Sequence, residues 1–186
     1  MLINELLIGI LIYLSCSISP VSQQIVTGDS LYSEGEIENA LNLFSNIPVT
    51  TNDTNFNDIQ RRIQYLQQLV NDQNWGGEVA KLDQLIKTGE LDKAIELVDQ
   101  IILDCPNREI KKICFYKKAE ILKLQDNSEQ AIKYYLFSDS PDNLLKAAQL
   151  AMGQDLELAK EILNQIIEKY PYTVEAYIAR EYLIHD

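Results

Sequence analysis

The side chains able to do chemistry are few, and their spacing decides what they could do. Cys16, Cys105, Cys114 and a single histidine, His185, are the whole supply of thiol and imidazole in 186 residues. A zinc site takes four such ligands at short, patterned spacings. One histidine at the chain end and two cysteines nine residues apart do not provide them, so no metal and no other cofactor is expected. Catalytic patterns are missing too: there is no P-loop, no dinucleotide-binding glycine signature, no HExxH and no GxSxG. A lone terminal histidine leaves any Ser or Cys nucleophile without a base, and the reading is of a protein that is not an enzyme. Cys105 and Cys114 admit two readings. In an oxidising compartment they could form a disulfide; otherwise each is a small buried apolar side chain, because spacing alone does not set the Cβ geometry that a bridge needs.

Charge narrows the partners. The net charge of −12 repels phosphate backbones, so nucleic acid is not expected. The local exception is Arg108, Lys111, Lys112, Lys117, Lys118 and Lys123, a run that invites an anion-binding reading. At about 100° per residue, Lys117 falls on the side of a helix opposite Arg108. The run is therefore not one patch, and it reads as an ordinary charge-balanced helix surface. Tyr116, Tyr134, Tyr135, Tyr170, Tyr172, Tyr177 and Tyr182 crowd the second half, most for packing and a minority to line a groove.

Residues 1–19 open with Leu2, Ile3, Leu6, Leu7, Ile8, Ile10, Leu11, Ile12 and Leu14, the length of a secretory apolar region and short for a membrane span. Glu5 and the absence of Lys or Arg depart from the usual positive start. Cys16, directly after Leu14 and Ser15, resembles a bacterial lipoprotein signal, whose thiol takes lipid and becomes the new N-terminus. Cleavage after Ser17, behind small residues at Ser15 and Ser17, is the other reading. Either one predicts an extracytoplasmic protein, touching membrane only through a lipid anchor or an uncleaved signal.

The elements that must position everything else begin with residues 75–106. Leu91, Ala94, Ile95, Val98, Ile101 and Ile102 repeat at helical spacing, with Gly89 before them for a tight turn and Pro106 after them as a stop. Val79, Leu82, Leu85 and Ile86 give a shorter stripe upstream. Two such helices bury one side each and need neighbours to stack on.

The neighbours share a phase. Gly28, Gly35, Ala40 and Phe44 lie seven, fourteen, nineteen and twenty-three residues after Val21, and Gly89 and Ala94 lie fourteen and nineteen after Trp75. Ala119, Ala131 and Tyr135 hold places seven, nineteen and twenty-three after Lys112; Ala147, Ala159, Leu163 and Pro171 hold seven, nineteen, twenty-three and thirty-one after Ser140. In this the chain resembles the tetratricopeptide repeat family, with small residues where paired helices touch, a large one behind and a closing Pro. The array is irregular: Leu82 replaces a small residue, the Ala spacing varies, and residues 50–74 fall outside the pattern. Ile59, Ile63, Leu66, Leu69 and Val70 make an extra amphipathic helix there.

The resemblance implies an all-α fold, a right-handed α-solenoid of about four antiparallel hairpins across residues 20–186, with residues 173–186 as a capping helix packing through Val174, Ile178 and Leu183. It implies a protein or peptide partner in a groove lined by the first helices, with Val79, Asp83, Ile86, Tyr116, Glu120, Lys123 and Leu144 as candidates. Some co-chaperones of the family clamp a C-terminal carboxylate with Lys and Asn on these helices. The matching places here carry Val79 and Asp83, Tyr116 and Glu120, Leu144 and Ala148, so that clamp is not expected. The last hairpin is similar to repeats of bacterial envelope proteins, which points to a non-enzymatic envelope adaptor or scaffold. The alternatives are a structural subunit of an envelope assembly or secretion complex, using the extra helix for contact, and a cytoplasmic repeat protein.

Overall fold

Local signals decide where each helix starts and stops. A computed structural model describes residues 19–185; Cys16 and the apolar leader before it lie outside the described residues. Among the described residues there are ten helices and no strand: α1 (Pro20–Ser33), α2 (Ile37–Ser45), α3 (Phe56–Val70), α4 (Gln73–Thr88), α5 (Leu91–Asp104), α6 (Arg108–Leu124), α7 (Ser128–Ser138), α8 (Pro141–Met152), α9 (Leu156–Lys169) and α10 (Val174–His185). Ser19, Asn107, Asn127, Ser140 and Asp155 cap α1, α6, α7, α8 and α9 by accepting backbone N–H groups of the first turn. Pro20 and Pro141 follow two of these caps, where a missing N–H costs nothing.

Three hairpin turns use one device. Gly35 (φ +84°), Gly89 (φ +78°) and Asp126 (φ +58°) take the left-handed conformation that ends a helix. After each, the next N–H reaches back five residues: Glu36 to Leu31 O, Glu90 to Leu85 O and Asn127 to Leu122 O, all at 2.9 Å. Each of the three sits five residues before the Ala of the second helix, Ala40, Ala94 or Ala131. The α8–α9 turn departs from this. Gly153 keeps φ −79°, and Asp155 N–H bonds Ala151 O at 2.7 Å instead.

The described residues form two compact units, the first ending at Lys81 and the second beginning at Leu82. In the first, α1 and α2 pack so closely that a Cβ on Gly28 would lie 2.5 Å from the Phe44 ring. Helix α3 packs on α2 through a buried stripe of Ile59, Leu66 and Leu69. Arg62 ties it down, pairing with Asp58 and Asp29 and standing 5.5 Å over the Phe44 ring, while the Tyr32 and Tyr65 hydroxyls meet at 3.1 Å.

In the second unit, one cluster holds Ala119, Ala131, Tyr135, Ala147, Ala159 and Leu163, each at most 1% exposed. Small residues let the helices approach, and Tyr135 is among the largest side chains fully sealed there. Asp139, left-handed at φ +49°, receives Lys169 as an ion pair and the Tyr170 hydroxyl on its carbonyl at 3.1 Å, which staples the α7–α8 turn to the end of α9. Helix α10 corrects one expectation. Val174 is 70% exposed, and the face toward the core is led by Ala176 and Ala179, both 0% exposed, with Ile178 and Leu183 partly buried beside them. The reason is the closeness of the crossing, which selects methyl groups over bulk.

Candidate functional site

Helix α6 carries the candidate site. Asn107 Oδ1 fixes its start by accepting from Glu109 N at 3.0 Å and Ile110 N at 3.3 Å, and seventeen residues then run without a break. Its core sides are Ile110, Cys114 and Ile121 on one flank and Ala119 and Leu122 on another, all buried. Between these flanks Tyr116, Glu120 and Lys123 fall on one line at spacings of four and three.

The neighbouring helices hold this line from both sides. From α7, the Tyr135 hydroxyl donates to the Glu120 carboxylate, and its ring lies 6.3 Å from that of Tyr116. From α8, Lys146 Nζ stands 4.5 Å from the centre of the Tyr116 ring and 3.0 Å from Asp142 Oδ2. Lys123 lies 3.9 Å from Glu120, and at the flank Lys117 pairs with Asp83 of α4. Burial, then the charge of Glu120, raises the Tyr116 phenol above its ordinary pKa. Burial and the hydrogen bond to Glu120 raise that of Tyr135 further. Burial works against the Lys146 ammonium, but the bond to Asp142 and the Tyr116 ring outweigh it, so its pKa is raised and it stays a cation. Each charge on this face thus has a partner, and the face offers a fixed ring rimmed by paired charges.

Of the residues named from sequence, the structure brings Tyr116, Glu120 and Lys123 together, with Asp83 at their edge. Ile86 is half-buried on α4. Val79 and Leu144 are corrected: both are 0% exposed and belong to the packing, so neither presents surface to a partner. Sequence reasoning passed over Asp142 and Lys146, and read Tyr135 as a repeat position without a link to Glu120. The Asp142–Lys146 pair was readable as an i, i+4 contact, whereas the reach of Lys146 to Tyr116 depends on how α6 and α8 are placed. The bridge considered for Cys105 and Cys114 is not formed. Both thiols are buried, and burial pushes that of Cys114 up to about 12, far from a thiolate at neutral pH.

Antiparallel hairpins of this kind, with Gly or Ala at most of the close crossings and large residues behind, define a helical-repeat protein. The places shared between hairpins are all buried: Gly28, Leu82, Ala119 and Ala147; Ala40, Ala94, Ala131 and Ala159; Phe44, Val98, Tyr135 and Leu163. A family model described as Tetratricopeptide repeat matches residues 142–171, which span α8, α9 and the Pro171 stop. The α8–α9 hairpin is thus similar to a tetratricopeptide repeat, which agrees with the helical-hairpin architecture. No curated protein and no solved structure matches the chain. Repeats of this family generally mediate protein–protein interaction and are typically non-catalytic. Among the described residues no helix is long and apolar enough to cross a membrane.

Proposed function

We propose that the protein is a non-catalytic docking module that holds a protein segment on the Tyr116–Glu120–Lys123 face of the second unit. The observation that carries this reading is the double support of the face. Tyr135 and Lys146 reach it from two different helices and hold an aromatic ring and a carboxylate in place before any partner arrives. A ring already fixed loses little freedom on binding, which is how rigid aromatic anchors become hot spots. The test is a double variant, Tyr116→Ala with Glu120→Gln, the amide keeping an acceptor for Tyr135. Partners co-purified with the wild type should bind about tenfold or more weakly. Retention of every partner at wild-type strength refutes the assignment.

The same proposal places the protein in the cell envelope, delivered by the apolar segment of residues 1–19 and, where Cys16 is lipidated, anchored there. Acyl chains contribute about 0.8 kcal/mol per buried CH₂, so an acidic body needs no attraction of its own for anionic lipid. A Cys16→Ser variant should move to a soluble extracytoplasmic fraction or keep its signal uncut. A wild-type chain that starts at Ile18 with no added mass contradicts the lipid anchor and leaves plain secretion.

A further inference from the structure

We infer that a neighbouring face of α6, about 100° round the helix from Tyr116, is a second docking surface, fitted to an acidic segment with a large apolar anchor. This goes beyond the Tyr116 face and stands on other residues. Arg108, Lys111, Phe115 and Lys118 follow each other along α6 at spacings of three, four and three, which makes one strip. Beside the strip, Phe115 meets Tyr134 and Phe137 of α7 with ring centres 6.2 and 5.5 Å away, and those two rings lie 5.9 Å apart. Phe137 is 50% exposed, so the three rings form a ledge at the surface.

The charges around the ledge distinguish it from the other face. Lys118 is occupied, pairing with Asp99 of α5 and lying 4.3 Å over the Tyr134 ring. Arg108, Lys111 and Lys133 have no carboxylate within ion-pair distance among the described residues, and Lys133 stands 5.9 Å from the Phe137 ring centre. Arg108 and Lys111 also sit at the positive end of the α6 dipole, which adds to their field instead of offsetting it. In a chain of net charge −12 this is where positive charge is left over next to exposed rings. Such a pairing suits acidic side chains that flank an apolar or aromatic anchor. Beyond Lys118 the sign reverses, in a cleft of about 650 Å³ whose walls include Asp92, Glu96 and Asp99. A bound segment is thereby oriented, its acidic part over the start of α6 and any basic part toward the cleft.

The probe is a short labelled peptide with Trp and Leu at helical spacing between Glu residues, titrated into the full chain. Its control is the same peptide with Lys for Glu. The acidic peptide should bind, shift the amide resonances of residues 108–118 and 133–137, and weaken as salt is raised. The Lys111→Glu, Lys133→Glu double variant, which breaks no ion pair, should bind it about tenfold or more weakly, and so should Phe137→Ala. Lys123→Glu, on the other face, should bind it as the wild type does, and circular dichroism should show all variants folded. The inference falls if the acidic peptide does not bind, if the Lys peptide binds equally, or if the double variant binds unchanged. It falls equally if the surface proves to hold a second copy of the chain, seen as a concentration-dependent dimer that the same double variant abolishes.

Discussion

Phe115 and Tyr116 are consecutive in sequence and, about 100° apart on the helix, serve different sides of α6, and the two sides solve the charge problem differently. On the Tyr116 side the acids come from α6 itself and from α4 and α8: Glu109 with Lys112, Glu120 with Lys123, Asp83 with Lys117 and Asp142 with Lys146. On the Phe115 side only Lys118 is answered, by Asp99. The difference teaches that two docking surfaces can share one helix and still select by different means. The first offers a pre-positioned ring in a neutral rim, and the second an aromatic ledge with positive charge left over.

The comparison can be broken altogether at Ala119, which is 0% exposed in the core cluster and lies along α6 between both faces. Ala119→Leu should cost about 2–3 kcal/mol by overpacking, seen as a lower urea midpoint, and should weaken binding at both faces together. Lys118→Ala should cost about 1–2 kcal/mol through the lost stem packing and ring contact, and should disturb only the Phe115 side. Tyr135→Phe should cost about 1 kcal/mol and act only on the Tyr116 side, where Glu120 loses its donor.

The Tyr135 change also sharpens the contrast in pH. Tyr116 and Tyr135 both have raised pKa values when folded. The unfolded chain therefore releases these protons first as pH climbs past the ordinary tyrosine value of about 10. Stability from this source is full below that pH and declines above it. Urea titrations at neutral and alkaline pH should show the decline, and Tyr135→Phe should lessen it. Smallest of all, Lys111→Glu with Lys133→Glu should change stability by no more than about 0.5 kcal/mol, since the effect there is on binding alone.

Much of this architecture is written in spacing. Gly28 against Phe44 and the series Ala40, Ala94, Ala131 and Ala159 mark helix crossings, and Gly35 and Gly89 mark turns, because each of these tasks accepts few residue types. Asp126 does the work of those glycines without looking like them, as a residue type that tolerates the left-handed region at modest cost. Val174 misled through its size: a close crossing takes Ala176 and Ala179. Val79 and Leu144 fell on the expected groove places, yet α-helical spacing alone does not say which neighbours cover a helix. The grouping of Phe115 with Tyr134 and Phe137, and of Tyr116 with Lys146, depends on the register between helices, which no local pattern carries.

The most direct test of the central claim, that a protein partner rests on the Tyr116 face, is site-specific photo-crosslinking in cells producing the full chain. A photo-reactive residue replacing Lys123, 53% exposed beside Glu120, is compared with one replacing Glu157, 86% exposed on α9. The account predicts a discrete covalent adduct from position 123 and none from position 157, with the first lost in the Tyr116→Ala background. Equal adducts from both positions, or an adduct from 157 alone, would contradict it.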